Sequence, residues 1–155
     1  MRMRPLEVLK MRKALFRVTG LVLLLALPRA EADAPTPFKI IVNPGVKGAS
    51  ISKDVLAQVF LGRVERWGNG TRITPIDLSA LSPVRAAFSE AMLGMPTTAV
   101  RRYWEQRLVS GGGRPPIVKT SEEAMISAVA SEEGAIGYLP EATPVPETVR
   151  VILVQ

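Results

Sequence analysis

Two side chains in this sequence have the types and spacing for anion recognition. Ser82 precedes Pro83 at the start of an expected helix, and Arg85 carries a guanidinium in the first turn of that helix. A helix N-terminus offers unpaired N–H groups and the positive end of a dipole, so a small anion is the ligand that this corner favours. Arg85 has two readings: it swings toward an anion at Ser82, or it points to solvent or pairs with Asp77 or a glutamate. Asp77 likewise either caps a turn or pairs with Arg72. Asn43, Trp67, Asp77 and Ser79 complete a candidate cleft or partner surface.

The residue inventory excludes much other chemistry. Histidine and cysteine are both absent, which removes Ser-His-Asp and Cys-His catalysis together with structural zinc of the Cys/His kind. Ser82 has no general base close in sequence, and a Ser-Lys pair cannot be placed. The reading is therefore a non-enzyme with no cofactor and no metal site. Gly111-Gly112-Gly113-Arg114 lacks the Lys-Ser/Thr and the following helix of a phosphate loop, and reads as a flexible connection. The pairs Glu122/Glu123 and Glu132/Glu133 need only dipole and solvation roles.

The N-terminus distorts the composition. Residues 1–32 hold seven Lys/Arg against two Asp/Glu, so the whole-chain charge of +6 falls to +1 for the remainder. A nucleic-acid partner is not implied by that balance. Arg2, Arg4, Lys10, Arg12, Lys13 and Arg17 form a basic leader before the apolar run Val18 to Leu27, and Ala30-Glu31-Ala32 has the small-x-small form of a cleavage site. Residues 1–32 thus read as a secretory signal peptide, cleaved after Ala32 or Ala34. The run is well short of the roughly 20 residues that a spanning helix needs, so membrane contact is expected only during export. The periplasm is the expected location.

Residues 33–37 read as a linker and residues 38–155 as one domain, long enough for one sizeable core without disulfides. Phe38 to Val42 is a β-branched run closed by Asn43-Pro44-Gly45, hence a strand and a turn. Ser52 caps a helix over about Lys53 to Phe60, which Gly62 ends. Trp67-Gly68-Asn69-Gly70 is a tight turn before a strand expected over Thr71 to Ile76.

At Ser82-Pro83 the serine supplies a capping acceptor, while proline gives up only a donor that would be unpaired anyway. Val84, Ala87, Phe88, Ala91 and Met92 form that helix's buried stripe, and Gly94 stops it. A third helix carries Val100, Tyr103, Trp104 and Leu108. Trp104 lies on this stripe as core, whereas Trp67 is balanced between packing and partner contact. Ser121 caps a fourth helix ending near Gly134, and strands follow at Ala135 to Tyr138 and Val149 to Val154. This order argues an α/β fold with a small mixed sheet flanked by about four helices.

The segments IIVNP (40–44), VFLGRVERWGNG (59–70), YWEQRLVSGGGRPP (103–116) and GAIGY (134–138) together resemble the phosphate-binding, PstS-like substrate-binding proteins of ABC transporters. More specifically, the chain looks like short, stand-alone members of that group that keep little beyond the second lobe. The resemblance implies a single lobe of the periplasmic-binding-protein-like II fold, in which ligand sits at strand ends and helix N-termini.

The same resemblance implies a weakened site. An Arg-x-Asp-x-Ser-Gly-Thr segment of the full-length relatives falls on Leu78 to Val84, where only Ser82 matches. Leu78 stands at the Arg position, Ala80 at the Asp position, Pro83 at the Gly position and Val84 at the Thr position. Charge-assisted hydrogen bonds contribute about 1.5–3 kcal/mol each, so these losses correspond to roughly three orders of magnitude in affinity. Two functions remain in view. One is a solute-binding component that holds an anion at a half-cleft completed by a second subunit or envelope protein. The other is a protein-interaction module built on a retained lobe.

Overall fold

The structure is a computed structural model and describes residues 36–155; the expected signal peptide and the start of the linker lie outside them. The FKIIV run forms strand β1 (Phe38–Val42). A short strand β2 (Ser50–Ile51) leads into helix α1 (Lys53–Phe60), whose N-cap Ser52 accepts from Val55 N at 3.2 Å. The apolar stripe of α1 buries Leu56, Val59 and Phe60, each stabilising the fold by about 1.5–3 kcal/mol. Gly62 has φ +65°, and a Cβ there would come within 2.7 Å of the Trp104 ring. Backbone conformation and packing therefore both require glycine at this helix end.

The second long strand begins later than its expected place. Thr71 to Ile73 fold back on Glu65 to Trp67 instead, with Trp67 N donating to Thr71 O and Ile73 N to Glu65 O, each at 2.8 Å. The Asn69-Gly70 turn thus uses those residues locally, and strand β3 runs Thr74–Leu78. Helix α2 (Pro83–Phe88) starts at Ser82 as expected, yet the Ser82 hydroxyl makes no capping bond. The chain widens into a π-helical turn, Ser89–Leu93, which Gly94 stops with φ +65°.

Helix α3 (Thr97–Val109) buries Val100 and Trp104, while Leu108, expected on the same stripe, is 54 % exposed. Strand β4 (Ile117–Lys119) and helix α4 (Glu122–Ser131) follow. In α4 the Ser121 hydroxyl accepts from Ala124 N at 3.1 Å. Strands β5 (Ala135–Pro140) and β6 (Arg150–Val154) complete the chain.

The six strands form one mixed sheet in the order β2-β6-β1-β5-β3-β4. Strand β1 is antiparallel to β5 and β6, whereas β3 runs parallel to β5 and β4. Every residue from Ala135 to Leu139 in β5 is buried, as a strand covered on both faces must be. Tyr138 stacks on Phe88 of α2 at 4.0 Å between ring centroids and lies 6.0 Å from Phe60 of α1. Such aromatic pairs contribute about 0.5–1.5 kcal/mol beyond their buried area. Gly137 faces the other way, where an added Cβ would meet Met125 Sδ and Val129 of α4. The result is an α/β domain with α1 and α2 on one face of the central strand and α4 on the other.

Candidate functional site

The parallel strands β3 and β4 end together, and their ends place Ser79, Ser82, Thr120 and Ser121 around one hollow of about 550 Å³. Backbone bonds fix its rim: Ser79 N donates to Lys119 O and Ser82 N to Ser79 O, each at 2.9 Å. Ser79 Oγ accepts from Leu81 N at 3.3 Å, while Ser121 Oγ is held by its cap. Ser82 keeps its hydroxyl uncommitted to a cap.

The hollow has no cation among its lining residues, but it has Glu122 and Glu123. Hydrogen bonds from its own backbone N–H and from Ser121 hold the Glu123 carboxyl below the usual carboxylate range, so it stays charged near neutrality. Glu122 Oε2 accepts from the Thr143 hydroxyl at 2.5 Å. Hydroxyl donors therefore face two carboxylates, a weak arrangement for a lone anion.

Arg85 stands apart from this hollow. Its Nε donates to Asp77 Oδ1 at 2.7 Å, and Arg85 and Asp77 are only 6 % and 7 % exposed. The same Oδ1 accepts from Leu78 N at 2.9 Å and from the Tyr138 hydroxyl, which itself accepts from Leu78 N at 3.2 Å. Burial raises the Asp77 pKa, and Arg85 opposes that shift without cancelling it. Tyr138 is likewise pushed up, first by burial and then by the Asp77 charge, so its phenol stays protonated. Of the two sequence readings for Arg85, the structure holds the pair with Asp77.

Asn43 and Trp67 lie at the other end of the sheet. Val42 pairs with Ile136 and Thr74 with Ala135, so the chain around Asn43 and Gly134 sits where β3 and β5 begin, away from Ser79. The Asn43 amide donates to Val129 O at 3.0 Å and to Ala130 O at 2.9 Å, joining β1 to the end of α4. Trp67 is half-buried against the core, with Nε1 donating to Gly134 O at 3.1 Å. The six candidate residues thus divide into Ser79 and Ser82 at the hollow, Asp77 and Arg85 beneath the surface, and two distant braces.

Sequence reasoning overlooked Thr120 and Tyr138. Thr120 precedes the Ser121 cap, and Tyr138 lies in the GAIGY run; neither pattern announces a polar role. The Gly111–Gly113 connection also differs from a free loop. Arg107 Nε donates to Gly112 O at 2.5 Å and Gly112 N returns a bond to Arg107 O at 2.7 Å. Among the described residues, no group of three or more Asp/Glu could hold a metal ion, and no helix is long and apolar enough to cross a membrane.

A mixed sheet covered by helices, with a polar hollow at the ends of parallel strands, is an arrangement in which ligands bind at strand ends. Solved structures make this specific. The chain is similar to an ABC-type phosphate transport receptor from Vibrio cholerae, with a TM-score of 0.60 and 21 % identity over 76 % of this chain and 45 % of that one. It is equally similar to PstS from Borrelia burgdorferi, with a TM-score of 0.61 and 18 % identity over 76 % of this chain and 47 % of that one. The fold is therefore PstS-like, and the chain spans less than half the length of these receptors. No family model matches the sequence, and no curated protein matches it.

Proposed function

We propose that this chain is an exported lobe of the solute-binding type, acting in the periplasm, with a half-cleft that a second subunit or envelope protein completes. The carrying observation is the hollow itself: four hydroxyl-bearing residues gather at the ends of β3 and β4, but the lining carries two glutamates and no cation. The solved structures it resembles are phosphate receptors, which supports a small anion as the solute class. The basic leader and apolar run of residues 1–32 support export. The receptor relatives also favour a binding role over catalysis.

Calorimetry with phosphate on the purified protein tests the site. The expected result is millimolar binding or none for the chain alone; low-micromolar binding would show a complete site and overturn the half-cleft. Envelope fractionation with N-terminal sequencing tests export, with a first residue of Asp33 or Pro35 expected. An intact Met1 on cytoplasmic protein would end that part of the reading.

A second reading has its own observation. Leu81, on the rim of the hollow, is 92 % exposed. A large apolar side chain there suits protein docking better than solute capture. In that case crosslinking in envelope extracts recovers a partner, and Leu81→Asp abolishes the recovery while phosphate has no effect.

A further inference from the structure

A second hollow, of about 320 Å³, lies between α3 and the β3–β4 edge and shares only Leu78 with the first. Its walls are chiefly apolar, from Val100, Trp104, Leu108, Pro115 and Val118, and its polar lining includes Asp77 and Arg85. Arg85 Nη1 is buried and has no hydrogen-bond partner among the described residues. An orphaned donor on a buried guanidinium is uncommon, because leaving it unpaired costs free energy that water would otherwise recover. The Asp77 pair engages Nε, and Nη1 is the donor left over.

We propose that this hollow binds a small carboxylic acid with an apolar body, whose carboxylate accepts from Arg85 and whose body lies along Trp104 and Leu108. Four charged groups line the hollow: Asp77, Arg85, Arg101 and Glu105. Asp77 is already neutralised by Arg85, and Arg101 meets Glu105 only loosely at 3.7 Å on the exposed side of α3. A monoanion thus enters a lining with balanced charge and finds one unpartnered donor, Arg85 Nη1. Phosphate, more highly charged and without an apolar body, gains nothing from these walls and costs more to take out of water there. This site is independent of the half-cleft and does not depend on its function.

Calorimetry with phenylpropionate, and with the uncharged phenylpropionamide as its match, tests the proposal on the purified protein. The acid is expected to bind at least about tenfold more tightly than the amide, the ratio of one charge-assisted hydrogen bond. Phosphate is expected not to displace it. Leu108→Glu places a like charge on the wall at a half-exposed position, and should weaken the acid by at least about tenfold while the melting temperature stays unchanged. Equal binding of acid and amide would overturn the proposal. So would displacement by phosphate, an unaffected Leu108→Glu variant, or no heat at millimolar acid.

Discussion

Asp77 and Ser79 are two residues apart at the end of one strand, and they belong to opposite kinds of polar structure. Asp77 is enclosed, ion-paired to Arg85 and bonded to Leu78 N and the Tyr138 hydroxyl. Ser79 faces an open hollow with Ser82, Thr120 and Ser121. The enclosed cluster has the charges an anion site would want and pairs them with each other, leaving only Arg85 Nη1 over. The open hollow has the access and lacks the cation. Recognition chemistry in this lobe is limited by where the charge is held, since the first helical turn does contain an arginine.

The largest break in that contrast comes from splitting the buried pair. Asp77→Ala or Arg85→Ala leaves an uncompensated charge under the surface and is expected to cost about 3–5 kcal/mol, read from urea unfolding. Asp77→Ala with Arg85→Met should cost far less than either single change, because no charge remains buried; a double variant as unstable as the singles would mean the pair does not act as a unit.

Next in size is the pH dependence. Burial raises the folded-state pKa of Asp77, so the native protein holds more protons than the unfolded chain between the ordinary carboxylate range and that raised value. Its contribution to stability is complete below the ordinary range and is lost as pH rises through the folded pKa, with a slope of at most about 1.4 kcal/mol per pH unit. Melting curves across this range should show that slope, and Asp77→Asn should remove it.

The smallest effect compares the two helix-start serines of the hollow. Ser121→Ala loses a made capping bond and should cost about 1 kcal/mol. Ser82→Ala loses none and should stay within about 0.5 kcal/mol. Equal costs in thermal melts would show that Ser82 is structural rather than free for a ligand.

The helices were the legible part of the sequence. Ser52, Ser82 and Ser121 mark three helix starts and Gly62 and Gly94 two ends, because caps and positive φ are local requirements with few residue solutions. Strands β2 and β4 have two and three residues, too short for any period to register. Strand β3 departs from its expected span at both ends: the Asn69-Gly70 turn takes up Thr71 to Ile73, and an aspartate near the strand end does not look apolar, since its partners Arg85 and Tyr138 are eight and sixty-one positions away. The PstS-like architecture was readable from segment order. The division of the site was not, since Asn43 and Trp67 reveal their end of the sheet only through the register of β1 and β5.

Strand β4 carries a last consequence, for solubility. Among the described residues it is an edge of the sheet, and its own Ile117 and Val118 are exposed. Such an edge invites neighbouring chains to add strands and grow aggregates. Here Pro115-Pro116 ends the strand on one side, and the α4 cap at Ser121 ends it two residues after Lys119. At the far edge β2 is shorter still. A template of two or three residues offers few backbone bonds for a stray chain to hold, which blunts both edges despite the exposed apolar side chains at the β4 border.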